Sequence, residues 1–138
     1  MSAEVFDADR ARREHRRLDD LFGRFLGAVA AGETSAARAA FGEFDGELRR
    51  HTAEEERHFP GAPDGKLFAP SAEDPLARLG RQLRLEHVQI RELSGMIRRL
   101  LDEKADLEGA RRLAGSLARR WDAHTRREEE HAFPDRRS

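Results

Sequence analysis

The segments HTAEEERHFP at 51–60 and HTRREEEHAFP at 124–134 carry the same donor groups in the same order. Each opens on a histidine, places a glutamate four residues later (Glu55, Glu128) and a second histidine seven residues later (His58, His131). On a helix, His-x-x-x-Glu puts an imidazole and a carboxylate on one face, one turn apart, a spacing that suits two ligands of a metal ion. Two further histidines, His15 and His87, each follow a glutamate, in EHRRLDDLFG at 14–23 and EHVQIRELSG at 86–95. The chain has no cysteine, so disulfides, zinc–thiolate sites and iron–sulfur clusters are excluded and any metal must be held by nitrogen and oxygen. It has no tyrosine either, which removes mechanisms that need a tyrosyl radical or a phenolic acid.

The elements that must position these groups are helices. Periodicity and breakers predict four, at about 7–31, 35–59, 75–104 and 106–133. Gly32 ends the first, Thr34 or Ser35 caps the second, Pro75 opens the third and Pro134 closes the fourth. The stretch 60–75 holds four of the five prolines and reads as a long connection. Helices of that length with one apolar stripe each describe an all-α chain, a single domain over 1–138 folded as an up-down-up-down four-helix bundle. The two halves also align: His15 and His87 are 72 residues apart, and His51 and His124 are 73 apart. The bundle is thus expected to be built from two pseudo-repeated helical hairpins.

The apolar stripes fix where the histidines point. Leu18, Phe22 and Leu26 follow His15 by 3, 7 and 11; Ile90 and Ile97 follow His87 by 3 and 10, with Leu83 four before it. Leu48, Phe44 and Phe41 precede His51 by 3, 7 and 10, and Trp121, Leu117 and Leu113 precede His124 by 3, 7 and 11. All four histidines therefore face the bundle interior, and Glu55 and Glu128 do so one turn further on. Four imidazoles and two carboxylates in a helical core are costly without a partner, and a metal is the usual remedy. Six such donors are too many for one ion and suit two ions a few ångströms apart, bridged by carboxylates. Ligation by imidazole and carboxylate without sulfur favours iron or manganese, with zinc as an alternative.

The series His15, His51-x-x-x-Glu55, His87, His124-x-x-x-Glu128 resembles the hemerythrin-like family, or HHE cation-binding domains, over nearly the whole chain. The resemblance implies two iron ions in an oxo- or hydroxo-bridged non-haem centre inside a four-helix bundle. Glu55 and Glu128 would bridge the irons, and the four histidines would be terminal ligands. The pattern departs from that of the family's oxygen carriers. Those have His-x-x-x-His on the third helix, where this chain has Arg91 four residues after His87. They have His-x4-Asp on the fourth, where this chain has Glu128 at +4 and Glu129 at +5. The four-His, two-Glu set looks more like members linked to nitric oxide, iron handling or redox stress.

His58 and His131 lie about 20° off the meridian of His51 and His124 on an ideal helix, which puts them on the inward face one turn nearer the bundle end. They read as additional ligands, as groups that orient ligands or relay protons where a gas enters, or as histidines satisfying the last helical carbonyls. Glu14 and Glu86, about 100° from the ligand face, read as surface ion-pair partners. Glu54, Glu56, Glu129 and Glu130 read first as a solvated face and second as groups that orient ligands or feed iron in, and Trp121 as core packing rather than an electron relay. The expected partner is a small diatomic ligand or peroxide. The protein would bind oxygen, nitric oxide or peroxide at the metal pair, act as a redox enzyme that consumes peroxide or nitric oxide or activates oxygen, or serve as an iron or oxygen sensor or iron-handling module. With 26 basic against 27 acidic residues the net charge is −1, which gives no electrostatic case for nucleic acid. No apolar run approaches 18 residues and no signal-peptide pattern stands at the start, so a cytoplasmic protein with no membrane partner is expected.

Overall fold

The computed structural model describes residues 7–59 and 75–132. The expected connection over 60–74 and the Phe133–Pro134 stop lie outside the described residues. Within them the chain is helical: α1 Ala8–Ala30, α2 Thr34–Glu56, α3 Pro75–Lys104 and α4 Leu107–Arg127, the last continued by a π-helical turn over Glu128–Ala132. Packing runs from α1 to α2, α2 to α3, α3 to α4 and α4 back to α1, with the α4–α1 seam the sparsest. This is the four-helix bundle expected from periodicity.

Two short turns close the hairpins, and the repeat makes them equivalent. After α1, Gly32 adopts φ +71°, so the Gly32 and Glu33 amides can reach back to the carbonyls of Val29 and Ala28. After α3, Ala105 takes the same left-handed conformation with φ +48°. The helix starts differ too. Asp106 caps α4 by accepting from the Gly109 amide at 2.8 Å, whereas α2 is preceded by Glu33, whose side chain makes no capping bond. The expected cap at Thr34 or Ser35 is therefore corrected: Thr34 is already helical, so its side chain is past the capping position.

The core is shared unequally. Phe22, Phe25, Phe41 and Phe44 form one aromatic cluster with ring centroids 4.8–5.8 Å apart, and all four come from the first hairpin. The second hairpin meets them with Ile97, Leu101, Ala110, Ala114 and Leu117, smaller side chains at or near the equivalent positions. The repeat has conserved shape by trading volume between its halves. Leu26, placed on the apolar face by spacing alone, is 39% exposed; Leu21 and Phe25 fill that turn instead.

A buried polar contact joins α2 to α3 across this core. Asp45 on α2 is buried and accepts from Ser94 Oγ at 2.6 Å and from Arg98 Nη1 at 3.0 Å, both on α3, and from Arg49 Nε at 3.0 Å on its own helix. Ser94 replaces the Phe22 of the first hairpin, so the latch belongs to the α2–α3 seam alone.

Candidate metal centre

At the other end of the core the apolar layers give way to His15, His51, Glu55, His87, His124 and Glu128, all buried. Each helix contributes one histidine, and α2 and the π-helical turn that continues α4 each add a glutamate four residues beyond it. Their donor atoms fall into two groups, His15–His51–Glu55–Glu128 and Glu55–His87–His124–Glu128, within each of which all ligand atoms lie inside 4.8 Å of one another. Glu55 and Glu128 belong to both groups.

The imidazoles converge through Nε2. His51 Nε2 is 2.9 Å from Glu55 and His124 Nε2 is 2.9 Å from Glu128. His15 Nε2 lies 3.3 Å from Glu55 and 3.1 Å from Glu128, and His87 Nε2 lies 3.2 Å and 3.6 Å from the same pair. Close approach does not mean satisfaction. Nε2 of His51, His87 and His124, Oε1 of Glu55 and both carboxylate oxygens of Glu128 are buried without a hydrogen-bond partner. Native interiors rarely leave such atoms orphaned, because each costs on the order of 1–3 kcal/mol. Here the orphans all aim at one another's midst, where cations would satisfy them together. The donor set passes that test of fit.

The other ring nitrogens show how the rings are held. Nδ1 of His51 is 2.6 Å from Glu14, Nδ1 of His87 is 2.8 Å from Glu56, Nδ1 of His124 is 2.7 Å from Glu86 and Nδ1 of His15 is 3.3 Å from Glu129. The four bonds close a ring: α1 aims the histidine of α2, α2 that of α3, α3 that of α4, and the end of α4 that of α1. A carboxylate on Nδ1 keeps a proton there and leaves Nε2 for a metal. Glu14 and Glu86 do pair with Arg10, Arg50 and Arg127, as expected from their helical angle, but they also hold ring nitrogens, and Glu56 and Glu129 are not merely a solvated face. Neighbouring helices pack close enough that a side chain 100° from one seam lies at the next. The sequence signal was present, since Glu-His at 14–15 and 86–87 and Glu-Glu at 55–56 and 128–129 are both duplicated.

Charge follows this geometry. Burial works against the His15 imidazolium, but Glu128 and Glu55 outweigh it and raise its pKa to about 10. His87 is raised to about 10 in the same way, against its burial, by Glu128, Glu55 and Glu56. Burial also opposes the Glu55 anion, yet His15, His51 and His87 hold that carboxyl well below its usual range. Glu86 is lowered to about 2 because His124 and Gln82 overcome its burial.

His58 and His131 join neither group. Helix α2 ends at Glu56, so His58 sits half-buried in the turn that follows it. The π-turn takes more residues per turn than an α-helix, which carries His131 outward to 61% exposure beside Glu130. Seven-residue spacing fails at both places because the α-helix has already stopped. Glu54 pairs with Arg57 and lies on the outer face, as expected. Arg91, at the place of the carriers' extra histidine, donates to Thr52 Oγ1 at 3.1 Å and to Glu56 at 3.4 Å. Trp121 packs edge-on against His15, with centroids 5.4 Å apart, and its Nε1 donates to Asp19 at 2.9 Å.

A helical bundle with a buried cage of histidines and carboxylates defines a metal-binding class of protein. Residues 7–134 match the hemerythrin HHE cation-binding domain, and the chain belongs to that family. Neither the curated proteins nor the solved structures give a match to the chain. Among the described residues no helix is long and apolar enough to cross a membrane.

Proposed function

We propose that the chain holds a pair of iron ions through His15, His51, Glu55, His87, His124 and Glu128, with Glu55 and Glu128 shared between them, and there binds a small molecule such as oxygen, nitric oxide or peroxide. The observation that carries this reading is the pair of four-residue donor groups with both carboxylates in common. Manganese fits the same nitrogen and oxygen donors, and zinc is the third candidate. Bound iron would supply electrons and a coordination position for the small molecule.

The chain's own part is to hold the donors and exclude water. The outer carboxylates keep the Nδ1 protons in place so that each Nε2 is free to bind. The aromatic and aliphatic layers below the cage close its inner side, and Trp121 and Phe59 wall it beside His15 and His87. The shared carboxylates tie the two hairpins to one centre.

The test is to load the chain anaerobically with ferrous iron, count metal per chain, and follow the visible spectrum on adding oxygen or nitric oxide. About two irons per chain with a persistent, reversible band supports a binding protein. Two irons with rapid, irreversible oxidation supports a redox enzyme or sensor. No uptake of iron, manganese or zinc removes the reading.

A further inference from the structure

We infer that the two halves of this centre hold metal unequally, the His15–His51 half being the exchangeable one, because the carboxylate that aims His15 is, among the described residues, the only member of the ring without a brace. The inference rests on the metal-pair reading above.

The ring is symmetric in connectivity and asymmetric in support. Glu14, which aims His51, is held by Arg10 Nε at 3.1 Å and approached by Arg50 at 3.7 Å. Glu86, which aims His124, accepts from Gln82 at 2.8 Å and from Arg127 at 2.7 Å. Glu56, which aims His87, accepts from Arg91, itself anchored on Thr52. Glu129 has no such partner among the described residues. Its bond to His15 is the longest of the four at 3.3 Å, and its side chain is the most exposed, at 42% against 11–30% for the others. It also stands on the π-helical turn, while the other three stand on α-helix.

The duplication explains the gap. The residue equivalent to Arg91 in the first hairpin is Asp19, which carries the wrong charge to brace Glu129 and is engaged by Trp121 instead. A braced carboxylate is a slightly poorer acceptor but a fixed one. An exposed, unbraced one is screened by water and loses side-chain entropy each time it orders. The ring that it aims therefore gives up its metal position first.

The test uses the ferrous-loaded full-length chain and a coloured ferrous chelator, with the release of iron followed in time. Wild type is expected to lose its two irons in two phases separated by about tenfold, the range by which an outer carboxylate tunes metal affinity. Glu56→Ala should accelerate the slow phase alone, by about tenfold, and so merge it with the fast one. Glu129→Ala should touch only the fast phase and by less. Asp19→Arg supplies the missing brace and should slow the fast phase, a gain that damage to the fold would not produce. Thermal unfolding of each variant separates positioning from loss of structure. Two irons released in one phase, or Glu56→Ala acting on the fast phase, overturns the inference while leaving the metal reading intact. A wild-type chain that takes up no metal removes both.

Discussion

Arg91 and Asp19 occupy equivalent positions in the two hairpins and face the same layer with opposite charge. Arg91 reaches from α3 to Thr52 and Glu56 on α2, whereas Asp19 on α1 accepts the indole proton of Trp121 on α4. The same framework position thus ties each hairpin to the other by a different chemistry. The Trp121 contact is the one that can be watched directly.

Trp121 is the sole tryptophan, and its ring lies 5.4, 6.3 and 6.2 Å from those of His15, His51 and His124. Iron bound among these rings is expected to quench most of its emission, in step with metal uptake. Asp19→Ala should shift the emission to the red and cost about 0.5–1.5 kcal/mol, the worth of one hydrogen bond. Emission unchanged by saturating iron would place the metal elsewhere.

Metal should also stabilise the fold. The donors are assembled only when four helices are packed, so binding free energy is folding free energy. At free metal about 100 times its dissociation constant the gain is roughly 2.7 kcal/mol. Melting with iron and then with excess chelator should differ by several degrees. Glu128→Ala should abolish the difference, since that carboxylate serves both groups.

The Asp45 latch predicts a pH dependence far from the metal cage. Burial would raise its pKa, but Ser94, Arg49 and Arg98 hold the carboxyl below its ordinary 3.8. A folded value below the unfolded one stabilises the native state above the unfolded pKa, and that contribution is lost as pH falls through the folded value. Asp45→Asn should cost about 1–3 kcal/mol at neutral pH and less as acid is added. Denaturant melts of both proteins from pH 6 down to about 3, spanning the ordinary carboxylate pKa, check this; parallel curves across that range would contradict it.

The two hairpin turns have complementary faults. The first has glycine in the left-handed position and no side-chain cap; the second has the cap but places Ala105 at φ +48°. Ala105→Gly is expected to add about 0.5–1 kcal/mol and Glu33→Asp a similar amount. Their sites are in different turns, so a double variant should show the sum. Thermal or denaturant unfolding measures all three.

Much of this was legible in the residues. His15, His51, His87, His124 and Glu55 could be placed in one layer because each sits inside a regular helix, where 3.6-residue periodicity holds, and Glu128 because it is the first residue beyond one. His131 was misplaced inward, and His58 was placed on a helix that has already ended, because both follow the points where α2 and α4 leave α-helical geometry, and periodicity does not report its own end. The outer glutamates are only half legible, for another reason. Helical angle assigns a side chain to its own helix's faces, while Glu14, Glu56, Glu86 and Glu129 act on the neighbouring helix. Leu26 shows the same weakness, since a stripe read from one helix does not know how wide its neighbours make the seam. Asp45 carries no pattern at all, because its partners on α3 are unrelated to it by repeat or spacing.

In a closed ring each helix sets the histidine of the next, so all four helices are needed to complete it. Two helices or three would present donors, but at least one imidazole would lack the carboxylate that turns it. The cage can therefore act as a checksum on assembly: a chain that keeps its metal has seated every helix, and a misdocked one is marked by its failure to do so. Cargo retention and fold inspection become the same event.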